Sequence, residues 1–177
     1  MRIHILGAAG VGKTTFGLAL SQKLGIPYFD SDNYFWADSE TAFTIKREPE
    51  LRNQMLLADM TANPSYIVGG SMLSWDIDWN GLFDLIVFLR LPQNIRMERL
   101  HSRELERYGD SIYTDRATHY KEFMDWARSY EDETSLRRSL RNHQEWLQTM
   151  DCPVLEIAGD TTTAERISRI LQSVHNL

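Results

Sequence analysis

The sequence predicts an α/β fold, a parallel sheet with helices on both faces. Three observations predict it. Short apolar runs alternate with longer stretches of helical spacing along all 177 residues. One run, Leu85-Ile86-Val87-Phe88-Leu89, is continuously apolar, as a strand buried on both faces must be. The first run opens into Gly7-Ala8-Ala9-Gly10-Val11-Gly12-Lys13-Thr14, which fits G-x-x-x-x-G-K-[ST], a phosphate-cradling loop that sits between a strand and a helix.

The elements follow in order. Ile3 to Leu6 is the first strand. Lys13 to Leu24 is a helix with Phe16, Leu20 and Leu24 on one face. Gly25 ends it, and Ile26-Pro27-Tyr28-Phe29 starts a second strand. Glu48 to Ala62 is a helix with Pro49 in its first turn, closed by Asn63-Pro64. Tyr66-Ile67-Val68 is the third strand and Leu85 to Leu89 the fourth. Pro92 opens a helix to about Arg107; Tyr108 to Thr118 has little pattern and reads as a loop. Two helical stretches run to about Met150. Val154 to Ile157 is the fifth strand and Thr163 to Val174 the last helix.

Composition narrows the class. The length suits one domain over residues 1–177, with room for a small mobile insertion. The net charge is −6 with dispersed basic residues, which gives no bulk case for nucleic-acid binding. Cys152 is the sole cysteine, so an intrachain disulfide is excluded; beside Pro153 it reads as a small core residue. No run reaches the ~18 apolar residues of a membrane span, and Gly10, Gly12 and Lys13 interrupt any signal-peptide pattern. A cytoplasmic protein, monomer or homodimer, is expected.

The chemistry centres on Gly7 to Thr15. Gly7, Gly10 and Gly12 let the backbone wrap phosphate oxygens, and the helix N-terminus favours an anion. Lys13 is placed to reach the β- and γ-phosphates, and Thr14 to offer its hydroxyl to Mg²⁺. The second strand ends in Phe29-Asp30-Ser31-Asp32. Ligands of open parallel sheets sit beyond the carboxyl ends of the strands. If the strand continues, Asp30 and Asp32 point the same way. One would assist the metal and the other orient or deprotonate an acceptor hydroxyl, with the split reversible. The competing reading is two solvated capping acids. Gly69-Gly70-Ser71 after the third strand allows close approach of a ligand, or is a tight turn. The Trp- and Asp-rich stretch from Ser71 to Gly81 walls an acceptor pocket or packs as a loop. Arg96, Arg99, Arg103 and Arg107 recur on one helix face, for phosphate clamping or for ion pairs with Glu98, Glu104 and Glu106. The five histidines lack metal-ligand spacing; His4 reads as structural, and His119 and His143 are candidates near the lid. Trp126 and Trp146 read as core.

On these residues the chain resembles the shikimate-kinase and nucleoside-monophosphate-kinase group of P-loop kinases, nearest to the adenylate-kinase-related or topology-modulation-type proteins. GAAGVGKTT leads the likeness. LGIPYFDSDNYFW carries a D-x-D and an FW segment. YIVGGS is similar to the third-strand glycine motif of shikimate kinases, and FDLIVFLRLP with RMERLHSR to the fourth strand and lid-flanking helix of adenylate kinases. The resemblance implies a P-loop NTPase three-layer sandwich, a five-stranded parallel sheet in 2-3-1-4-5 order and a helical lid near 104–120. It implies an acceptor region near 31–62, and ATP and Mg²⁺ as cofactors. It implies that Arg99 and Arg103 contact nucleotide and phosphates, that Arg128 corresponds to an arginine beyond the lid, and that Ala158-Gly159-Asp160 lies along the adenine. The departures concern the acceptor. Trp36 stands where monophosphate kinases place an arginine, and Gly70 to Leu73 offer none where those enzymes have a second. Arg47 or Arg52 is left to hold a carboxylate. The expectation is an ATP-dependent kinase of a small-molecule acceptor. The alternatives are a nucleoside or nucleotide kinase, or a nucleotide-binding regulatory module with little transfer activity.

Overall fold

The computed structural model describes residues 1–40, 43–135 and 138–174. Five parallel strands form one sheet: β1 (Arg2–Gly7), β2 (Tyr28–Asp30), β3 (Tyr66–Gly69), β4 (Leu85–Arg90) and β5 (Val154–Ala158). Their order is β2-β3-β1-β4-β5. β1 is central, pairing Ile3 with Ile67 of β3 and with Leu85 of β4. The parallel sheet is what the alternating pattern predicts, and the strand order is the one the resemblance implies. β4 is buried from Leu85 to Leu89, in keeping with its unbroken apolar run. β5 is an edge strand, and Val154 and Glu156 stay exposed.

Among the described residues, seven α-helices connect or flank the strands: α1 (Lys13–Leu24), α2 (Ser31–Phe35), α3 (Pro49–Ala62), α4 (Gln93–Tyr108), α5 (Ala117–Arg128), α6 (Leu140–Leu147) and α7 (Thr163–Val174). One core, against α1 and α7, holds Ile3, Phe16, Leu20, Val87 and Ile170. The opposite core holds Leu6, Leu56, Val68, Trp75, Trp79 and Phe88. The tryptophans of the Ser71–Gly81 stretch are therefore packing: Trp75 and Trp79 are buried in this core. Trp146 packs against the same core.

The sequence reading misses two local features. Residues 108–118 are not a plain loop: Gly109–Tyr113 forms a 3₁₀ turn and α5 begins at Ala117. The second correction bears on the site. β2 ends at Asp30, and α2 starts at once. Asp30 caps this short helix, its Oδ1 accepting from the Asp32 amide at 3.1 Å. Asp30 and Asp32 do not alternate along a strand, because the capping bond turns the chain.

Candidate functional site

Beyond the carboxyl ends of β1, β2 and β3 lies a cleft of about 1310 Å³. Ala9, Gly10, Gly12, Lys13, Thr14 and Thr15 form its floor. Gly12 caps α1 in the left-handed region, at φ 85°. Gly10, at φ 82°, passes so close to α4 that a Cβ would stand 2.8 Å from the Arg96 carbonyl oxygen. Three of the remaining candidates lie behind this floor. Ala8 and Val11 line a rear cleft with Gly159, whose amide donates to the Arg90 carbonyl at 3.0 Å. The stretch beside the cavity is instead Asp160 to Thr163. Gly7 also lies off the cavity wall, its Cβ direction blocked by the Leu89 carbonyl.

Cationic side chains hold the loop's carbonyls. Lys13 Nζ donates to the Gly7 and Ala8 carbonyls at 3.0 and 2.9 Å. Arg96 Nη1 donates to the Ala9 carbonyl at 3.1 Å. Arg166 Nη1 donates to the Val11 carbonyl at 3.0 Å, and its Nε to Thr161 Oγ1 at 3.0 Å. Carbonyls tied outward leave the loop amides free to face an anion. Sequence reasoning missed Arg166; it sits on α7, remote in the chain, and only the packing of α7 against α1 brings it to the loop.

Thr14 Oγ1 donates to Asp30 Oδ2 at 2.8 Å, so the two expected metal-site residues are neighbours. Tyr28 OH reaches the same carboxylate oxygen at 3.2 Å. Asp32 lines the cleft. Burial, with the charge of Asp30, raises its carboxyl above the usual range, against the pull of Lys13, Arg138 and Arg103. Burial is also the main cause that lowers the Lys13 ammonium to about 8.

The arginine face of α4 needs revision. Arg99, Arg103 and Arg107 line the cleft. Arg96 is fully buried, bridged to both Glu131 oxygens at 2.6 Å and stacked 5.3 Å over Tyr130. Arg99 pairs with Asp160 at 2.6 Å, and Arg103 with Glu104 at 2.9 Å. Beyond the lid, Arg128 is tied to Asp125 on its own helix at 3.0 Å and lies outside the cleft wall. The arginine that enters is Arg138, half-buried just before α6 and 5.1 Å over Trp126. Burial lowers its pKa, opposed by Asp32. Its signal in the sequence is an arginine directly before the Ser139 cap of α6. Trp126 thus belongs to the cleft and not to packing alone.

Trp36, Gly69, Gly70 and Ser71 also line the cleft. The two glycines are required by protein neighbours: a Cβ on Gly69 would overlap the Tyr28 ring, and one on Gly70 the Ser31 hydroxyl. Ser71 Oγ meets His143 Nε2 at 3.1 Å, and His143 Nδ1 meets Tyr130 OH at 2.5 Å. Burial, with Arg138 and Lys13 nearby, lowers His143 to about 3, so the ring is neutral. His143 lies behind Ser71, and His119 is the histidine on the cleft wall. His4 is buried, bonded through Nδ1 to the Val68 carbonyl at 3.0 Å. Cys152 is half-buried in the second core, and burial pushes its thiol up. Neither Arg47 nor Arg52 lines the cleft. Arg47 Nη1 donates to the Tyr34 and Trp36 carbonyls, and Arg52 stacks over Phe35 and Trp75.

No helix of the described residues is long and apolar enough to cross a membrane. The sequence model of the shikimate kinase family matches residues 9–172. An uncharacterized Bacillus subtilis protein, YqaC, is 42% identical over 171 residues, spanning 96% of this chain and 94% of its own. Shikimate kinase 2 of Yersinia enterocolitica is 36% identical over 110 residues, 55% of this chain and 62% of that enzyme. Among solved structures, deoxyadenosine kinase from M. mycoides with bound dATP superposes with a TM-score of 0.58 at 16% identity, over 99% of this chain and 100% of that one. Shikimate kinase from Bacteroides thetaiotaomicron gives 0.52 at 20% identity, over 100% of this chain and 99% of that one. At these identities the two structures share the fold.

Proposed function

Because the chain belongs to the shikimate kinase family, we propose that it transfers the γ-phosphoryl group of ATP to a hydroxyl of a small acceptor in the cytoplasm. The observation that carries this is the convergence of Lys13, the Thr14–Asp30 pair, Asp32 and Arg138 at one end of the sheet.

The loop amides and the start of α1 receive the phosphates. Lys13 exchanges its carbonyl partners for phosphate oxygens. Thr14 and Asp30 offer hard oxygen donors on one side of the loop, which suits Mg²⁺. When bound, Mg²⁺ screens charge on the β- and γ-phosphates. Arg99, beside Asp160, flanks the nucleotide end. Asp32, with its raised pKa, orients the acceptor hydroxyl and takes its proton. The hydroxyl oxygen bonds to the γ-phosphorus, the bond to the β–γ bridging oxygen breaks, and ADP leaves. Arg103 stabilises the charge that spreads over the moving group, and Arg138 stands beside Asp32 toward the acceptor. The α4–α5 lid region excludes water on closing.

The test is ATP consumption with Mg²⁺ against polyols, sugars, shikimate-like acids, nucleosides and monophosphates. Lys13→Ala is expected to abolish stimulated turnover. Asp32→Asn is expected to keep ADP affinity while losing transfer by roughly 10²-fold or more. Transfer retained in Asp32→Asn removes Asp32 from the mechanism.

A further inference from the structure

The chain as a whole is acidic, at −6, yet the cleft is a cationic island. Its wall carries eight lysines and arginines against four carboxylates. At the nucleotide end the cations have partners: Arg99 has Asp160 and Arg103 has Glu104. At the other end they do not. Lys46, Arg107, Arg116 and Arg138 have no carboxylate within ion-pair distance among the described residues. Each instead lies on an aromatic ring: Lys46 5.9 Å over Phe35, Arg107 5.3 Å over Phe43, Arg116 3.9 Å over Tyr108 and Arg138 5.1 Å over Trp126. A ring fixes a cation and leaves its charge uncompensated. Of the four acids on the cleft wall, Asp160 and Glu104 are paired with Arg99 and Arg103, Asp30 is bonded to Thr14, and Asp32 is the group assigned to the hydroxyl.

The charges can be balanced. The cleft wall has an excess of four cations. Fully ionised ATP with one Mg²⁺ brings about two negative charges. About two positive charges are left, whichever ligand each arginine touches once the lid region closes. Lys46 and Arg107 are exposed and Arg116 and Arg138 half-buried; a neutral polyol would leave them without a counter-charge, and a monocarboxylate would neutralise only one.

We propose that the acceptor is a hydroxylated dianion, a phosphomonoester or a dicarboxylate, whose charges sit among Lys46, Arg107, Arg116 and Arg138 while its hydroxyl meets Asp32. This rests on the kinase reading above. The anionic group is bound and the hydroxyl reacts: its oxygen takes the γ-phosphoryl group, its proton goes to the Asp32 carboxylate, and ADP departs. Trp36 occupies the place where a monophosphate kinase is expected to keep an arginine, and these cations come from the 43–46 segment, the lid region and the start of α6.

The experiment uses the full chain loaded with Mg²⁺ and ADP, and probes matched in size: ribose, ribonate, ribose 5-phosphate and malate. Binding is followed by calorimetry at low and high salt, and transfer by ATP consumption. The expected result is that a dianion binds about tenfold or more tighter than ribonate, and that added salt erodes the difference. Ribose 5-phosphate against malate tells the phosphomonoester from the dicarboxylate. Lys46→Gln and, separately, Arg107→Gln reduce the preference about three- to tenfold, with thermal unfolding as the folding control. Ribonate or ribose binding as tightly as both dianions overturns the proposal, as does the absence of dianion binding above the level of ribose. The two readings fail differently. Fast transfer to ribose spares the kinase and refutes the dianion; tight dianion binding without transfer to any probe or to the wider panel does the reverse.

Discussion

Arg166→Met tests whether the phosphate loop is shaped by arginines outside its motif. Arg166 is 4% exposed and holds the carbonyl of Val11, itself 1% exposed. Its Nη1 lies 3.5 Å from where a Gly12 side chain would begin, so it lies directly against the loop. Methionine keeps an unbranched apolar stem and removes both hydrogen bonds, along with the guanidinium 6.0 Å over the Phe16 ring. A buried carbonyl left without its donor costs about 1–3 kcal/mol. The ligand-free chain relieves part of that by turning the carbonyl inward, toward the phosphate position. Nucleotide binding must reverse the turn. The expected outcome is a stability loss of about 1–3 kcal/mol in urea unfolding and an ADP affinity lowered about tenfold, which corresponds to about 1.4 kcal/mol. Adenosine, which has no phosphate, should bind as before. Arg166→Lys keeps the charge, loses the fork and should retain most of the defect. ADP binding unchanged in a destabilised variant would refute the reasoning, and so would equal weakening of ADP and adenosine.

Two further outcomes follow from buried titratable groups. His4 and His143 ionise near 6.5 when unfolded but, desolvated, only near 4 and 3 in the fold. Between those values the unfolded chain binds more protons, so stability falls as pH drops through 6.5, by about 2 kcal/mol per histidine at pH 5. Urea midpoints that stay level from pH 7.5 to 5 would contradict this. Lys13 sits near 8 without ligand, and the phosphates of ADP raise it. Binding at pH 8 to 8.5 should therefore take up protons, read by calorimetry in buffers of different ionisation heat. Zero uptake, or uptake that persists in Lys13→Ala, would assign the shift elsewhere.

The sequence by itself determined the α/β fold class and the phosphate-loop motif that floors the cleft. Both are carried by local patterns: five apolar runs between helical spacings, and a glycine-lysine loop joining a strand to a helix. The strands and main helices stand where these signals put them, to within a few residues at their ends. Tertiary structure decided which of several equivalent residues face the cleft. Arg96 and Arg99 differ by three positions on one helix, yet one is sealed against Glu131 and the other opens to the cleft. Arg128 and Arg138 are both arginines beyond the lid region, and only the chain's path into α6 turns the second inward. Trp75 and Trp126 look alike as aromatic positions; one fills the core and the other floors Arg138. Asp30 and Asp32 were separated by a cap, a bond between a side chain and an amide two residues on. Arg166 and the Ser71–His143–Tyr130 chain unite residues 155 and 72 positions apart. Periodicity reports what a residue's own element buries. Which neighbour receives a side chain depends on how elements pack, and that is fixed only when the sheet has formed.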